Sequence, residues 1–140
     1  MPVLDYVVLA DYVRQDSGTI HIMAAGIDTF RIPAAALPTA VPVGIALRIT
    51  FSTRDPVGDM HKLAFDFSGP PGDLLTAAQL FPTPPQVPGV PDYWRTAIGV
   101  AVRLALPFPS HGNYALQVML DDDPELSRRL DLRVIEPGTG

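Results

Sequence analysis

Three histidines, His21, His61 and His111, and an acidic run, Asp121, Asp122, Asp123 and Glu125, are the residues best suited to hold a metal or move a proton. Imidazole nitrogens bind zinc, and clustered carboxylates supply the oxygens that calcium takes. The spacing argues against both metals. No histidine stands in a motif such as His-Glu-x-x-His, and Pro124 interrupts the acids where an EF-hand needs alternating ligands and a glycine. The run therefore reads as a solvated turn, which Arg128 and Arg129 help to neutralise. A metal-dependent enzyme built from the histidines and Asp121 to Asp123 requires distant residues to converge.

Nucleophilic chemistry has less support. There is no Gly-x-Ser-x-Gly elbow, and Ser17, Ser52, Ser68, Ser110 and Ser127 mostly stand at turns or strand ends, where hydroxyls bond local backbone. Glycine loops that cradle phosphate are missing. With no cysteine, the chain has no thiolate nucleophile, no disulfide frame and no thiolate metal site. The expectation is a protein that is not an enzyme and takes no cofactor.

Binding chemistry is better represented. Prolines 82, 84, 85, 88 and 91 make an extended arm that excludes an interior strand, and Tyr93-Trp94 follow it at once. Such arms dock in aromatic-lined grooves. Trp94 would alternatively anchor the arm on its own domain, or the arm would exchange between subunits. Together with His111 in a turn, Tyr93 and Trp94 are the loop residues that would hold a small molecule or glycan. Tyr114 follows Gly112-Asn113 into a strand, the position from which a tyrosine hydroxyl pins a sandwich corner.

Charge narrows the partners. The net charge is −5, charged residues make up 18% of the chain against a usual value of about 25%, and Lys62 is the single lysine. No phosphate-tracking surface is expected, hence no nucleic acid. No stretch approaches the roughly 18 apolar residues that span a bilayer. The N-terminus has no basic signal region, so no membrane partner and a cytoplasmic location are expected.

The elements that must position these residues are strands. Val43, Ile45, Leu47, Ile49 and Phe51 alternate with Gly44, Ala46, Arg48, Thr50 and Ser52, the period that places alternate side chains on one face of a pleat. The same period runs through Leu63–Phe67, Ile98–Leu106, Tyr114–Leu120 and Leu130–Val134. Tyr6–Ala10 and Ile20–Ile27 are almost continuously apolar, and Asp16-Ser17-Gly18 between them predicts an opening hairpin. Gly26 permits a redirection before a strand near Ile27–Ile32, and Pro33, Pro38 and Pro42 bracket a connection in which Ala34–Leu37 forms one helical turn. The fold expected is one all-β domain over 1–140, a two-sheet antiparallel sandwich of Ig-like or jelly-roll-like form. It has about eight strands, and residues 82–92 form a proline-rich excursion within it.

One compositional feature bears on function. Gly44, Ala46, Ala64, Gly99, Ala101, Ala105, Ala115 and Met119 fall on the faces turned from the core and are small or apolar. Open water would leave them as a contiguous apolar patch of the kind that marks an interaction surface. Alternatively, long loops and the proline arm of the same chain cover them.

The chain resembles an uncharacterised family of small bacterial all-β proteins, a domain of unknown function. The resemblance is carried by Leu9-Ala10-Asp11-Tyr12, Gly18 through Asp28, Leu47 through Phe51 and Gly112-Asn113-Tyr114. It implies no activity, ligand or catalytic residue. The reading is a non-catalytic protein-interaction or self-assembly domain, joined to itself as a homo-oligomer or to another protein through a small-residue face or an unpaired edge strand. The alternative is a ligand-binding sandwich using the loop aromatics.

Overall fold

The computed structural model describes residues 2–16, 19–23, 25–52, 54–85 and 96–138. Ten strands, β1(Val3–Ala10), β2(Tyr12–Asp16), β3(Thr19–Met23), β4(Thr29–Arg31), β5(Thr39–Phe51), β6(Met60–Gly69), β7(Gly72–Pro82), β8(Thr96–Phe108), β9(Gly112–Leu120) and β10(Ser127–Ile135), form three sheets. A three-stranded sheet in the order β1-β5-β8 faces a five-stranded sheet in the order β4-β10-β9-β6-β7, and β2-β3 form a separate pair. The sandwich pairings are antiparallel except β10 with β4, which run parallel.

Alternation decides which face each strand buries. On β5, Val43, Ile45, Leu47, Ile49 and Phe51 point between the sheets, and they meet Leu63, Phe65 and Phe67 of β6 and Tyr114, Leu116, Val118 and Leu120 of β9. All are buried, and each side chain of this size contributes roughly 1.5–3 kcal/mol by leaving water. Phe67 stacks on Tyr114 with centroids 5.5 Å apart, and Phe108 meets both rings edge-on. The Tyr114 hydroxyl donates to the Ser110 carbonyl at 2.5 Å, so the aromatic cluster is fixed to the β8–β9 corner as its sequence position predicts.

Most of the strand reading is found: the two facing sheets hold eight strands, as expected, and β2-β3 add a separate pair. Three differences remain. The opening hairpin is not β1 with the Ile20 segment: β1 pairs with β5, and β2 pairs with β3. In β3, Ile20 and Ile22 lie on the Val13 side of the hairpin, and Met23 lies with His21 on the other. Pro42 lies inside β5 rather than in a connection. It is tolerated because β1 reaches only from Gly44 to Thr50, which leaves β5 an edge at Pro42 on that side. Finally, β7 occupies a stretch that alternation does not mark. Of the proline-rich excursion at 82–92, Pro82 ends β7 and 83–85 follow as coil, while 86–92 lie outside the described residues. Gly26 at φ +84° and a 3-10 turn at Ala34–Ala36 stand where expected.

Candidate functional site

The small residues do not form one face. Gly44, Ala46, Gly99, Ala101 and Ala105 lie outward on the three-stranded sheet, whereas Ala64, Ala115 and Met119 lie outward on the five-stranded one. The first group is largely covered by the chain itself. The β2-β3 hairpin lies across it, with Val13 seated on Gly44 and Ile20 on Gly99. A Cβ at Gly44 would stand 2.7 Å from the Val13 amide nitrogen, so only glycine lets the hairpin backbone lie this close there, whereas one at Gly99 would meet the outer carbons of the Ile20 side chain, which would have to turn aside. Ala10, Val13 and Ala46 make a second small core, with Ala101 packed against it. The Arg103 guanidinium fastens the cover: its Nε donates to the Val13 carbonyl at 3.3 Å, and its carbon sits 4.3 Å over the Tyr12 ring. Gly44, Ala46, Gly99 and Ala101 are therefore withdrawn as an open interaction face, because the hairpin fills it. Ala105 lies outward and exposed.

No described element covers the outer face of the five-stranded sheet. In register, one row across it reads Ala78 on β7, Ala64 on β6 and Met119 on β9. Met60 and Leu80, on the same face, are 60% and 64% exposed. Farther along, Ser68, Ala115, Asn113, Arg129 and Asp131 line a shallow polar groove of about 450 Å³. Arg129 and Asp131 pair with each other at 2.9 Å, and both are highly exposed, which is ordinary chemistry for a solvated sheet. The other end is the unusual one: Met60, Ala64, Ala78, Leu80 and Met119 are small or apolar around one charge, Lys62, which pairs with Asp122, and this end borders β7.

That border is a strand edge, and the four sandwich edges differ in how they are protected. Edge strands expose unpaired amides and carbonyls, which proteins guard with charges, prolines, bulges or shortness. β1 has a bulge at Asp5, and Arg128 of β10 guards it, its Nη2 donating to the Leu4 carbonyl at 2.9 Å. β4 is three residues long. β8 carries Arg103 and Pro107. On β7 a bulge opposite Phe67/Ser68 leaves Leu74 extra, and Pro82 closes the strand. Between them Leu75–Phe81 has no charge, no proline and no bulge. Thr76, Ala78, Gln79 and Leu80 are all exposed.

The histidines do not converge. His21 lies exposed on the hairpin. The His111 Nε2–H donates to the Ile32 carbonyl, 2.7 Å away, and Nε2 lies 3.5 Å from the Glu136 carboxylate. It latches the β8–β9 corner to the chain leaving β4. Tyr93 and Trp94 lie outside the described residues.

His61 makes a contact that sequence spacing does not reveal. Its Nδ1 meets the Asp121 carboxylate at 2.7 Å and its Nε2 meets the Thr83 hydroxyl at 2.6 Å. The order Thr-His-Asp is that of a nucleophile, base and orienting acid. Burial argues for another role. Thr83 is only 2% exposed, its hydroxyl also lies 3.3 Å from the Asp59 carbonyl, and the ring is wedged between Phe51 and Phe81. An attacking oxygen so placed has no room for a substrate. The chain of bonds instead ties the end of β7 to the β9–β10 turn. The acids of that turn have local partners: Asp121 accepts from the Lys62 amide, Asp122 pairs with Lys62 Nζ, and Asp123 caps the 3-10 turn at Glu125. Lys62 pairs with the turn, whereas Arg128 bonds the Leu4 carbonyl and Arg129 pairs with Asp131. Among the described residues no three histidines and acids gather in a group that could hold a metal. Among the same residues, no helix is long and apolar enough to cross a membrane.

The chain belongs to a family of unknown function, DUF6941, whose model matches residues 5–135. No curated protein matches it.

Proposed function

We propose that this member of the family is a non-catalytic association domain that pairs with a protein strand along the outer edge of β7, which no described strand pairs. The observation that carries the reading is the contrast among edges: three are short, bulged or charged, and Leu75–Phe81 is none of these. Main-chain groups on such an edge take an added strand as their natural partner, and side chains on alternate positions supply the specificity. Ala78 and Leu80, with Met60 beside them, offer the apolar contact on the outer side.

Amide hydrogen exchange tests this. Alternate amides of Leu75–Phe81 point away from β6, and their protection should rise with protein concentration or with an added partner while that of β9 stays constant. Slow exchange of every β7 amide in a dilute monomer would mean that the chain covers this edge itself, and the reading would fail.

A further inference from the structure

We infer that the strand received by β7 is β7 of a second copy, laid antiparallel about a two-fold axis at Ala78. This rests on the association reading above and adds the identity of the partner and the register.

Symmetry fixes the register. A two-fold pairing is self-complementary, so residue i opposes j and j opposes i. The segment free to pair runs from Leu75, just past the bulged Leu74, to Phe81, just before Pro82, and its midpoint is Ala78. With the axis there, Ala78 opposes itself, Thr76 opposes Leu80, Ala77 opposes Gln79 and Leu75 opposes Phe81. Each pair unites side chains of the same face, as antiparallel pairing requires. Asp73, the single charge on β7, falls beyond the paired segment, so no like charges meet.

The outer face supports the same axis. The row Met119, Ala64, Ala78 would continue into Ala78, Ala64 and Met119 of the second copy, a strip of small and apolar residues without a charge. Leu80 of each copy would lie against the partner's Thr76. The two five-stranded sheets would become one continuous sheet, and the exposed ends at Met60 and Leu80 would flank the junction.

Because the chain has no cysteine, the axis can be tested directly. Directly opposed residues of an antiparallel pair lie about 4.5–5.5 Å apart at Cα, within disulfide reach. Ala78→Cys should oxidise to a covalent dimer at micromolar concentration. Asp73→Cys, on the same strand but off the axis, should cross-link at least tenfold more slowly. Ala78→Lys, which sets two ammonium groups against each other at an exposed position, should halve the native mass with an unchanged melting temperature. A monomeric wild-type chain whose outward β7 amides exchange freely would overturn the second copy and leave the edge to a different protein. A monomer with those amides protected would overturn both readings. A dimer that Ala78→Lys leaves intact, with no disulfide from Ala78→Cys, would place self-association elsewhere and overturn this inference.

Discussion

The outer face of the three-stranded sheet holds Gly44, Ala46, Gly99 and Ala101 beneath a hairpin, whereas that of the five-stranded sheet holds Ala64, Ala78 and Met119 under no described element. Composition alone makes the two faces look alike. They differ in what the small side chains accomplish. Under the hairpin, each missing atom is a space that a named neighbour occupies, Val13 at Gly44 and Ile20 at Gly99. On the five-stranded sheet, small residues create flatness on which no described element rests. A small-residue face therefore signals close approach of a second layer, and only the coordinates tell whether that layer comes from the same chain.

Substitutions that enlarge the two faces separate the cases. The largest effect is expected from Gly44→Val, whose side chain would enter space held by the Val13 backbone and side chain. Overpacking of this kind should cost about 3 kcal/mol in urea denaturation. If the hairpin lifts instead, exchange of the β2-β3 amides should rise sharply with little global loss, and either outcome confirms the tight seat. A matched pair comes next. Ala46→Leu should cost about 2 kcal/mol because Ala46 is fully buried, while Ala64→Leu should stay within about 0.5 kcal/mol in a dilute, monomeric sample. Equal costs would erase the distinction between the faces. The smallest expected effect is that of Arg103→Ala, about 1 kcal/mol, from loss of the bond to the Val13 carbonyl and the contact over Tyr12. Its signature is faster exchange confined to the hairpin.

Much of the fold is legible in the residues. β5, β6, β8, β9 and β10 each bury one face and solvate or cover the other, so period-two alternation marks them. The strand β7 escapes that test because it is an edge. Leu74-Leu75 and Ala77-Ala78 break the alternation, and the inner face is only partly buried at the margin, with Leu75 and Ala77 half-covered and Gln79 exposed. The pairing of the opening strands is hidden for a related reason: of Tyr12, Val13, Ile22 and Met23 only Val13 is buried, so their apolar character does not mark which strand they pair with. Of the candidate site, Ala64 and Met119 are visible as small or apolar outward residues. The unguarded edge is not, since edges are defined by pairings and not by composition. The His61–Asp121 contact joins residues from strands that only the β6–β9 pairing brings together, and no local pattern announces it.

The bonds from Thr83 through His61 to Asp121 have a mechanical consequence for any strand seated on β7. Tension applied through that strand would act along the whole margin of the sheet, but the two ends would not resist equally. The Phe81 end is riveted across three strands, whereas the Gly72 end begins at a tight reversal whose glycine has φ +118°. Peeling would therefore start near Gly72 and travel toward Phe81, giving the assembly a weak end and a strong end under load.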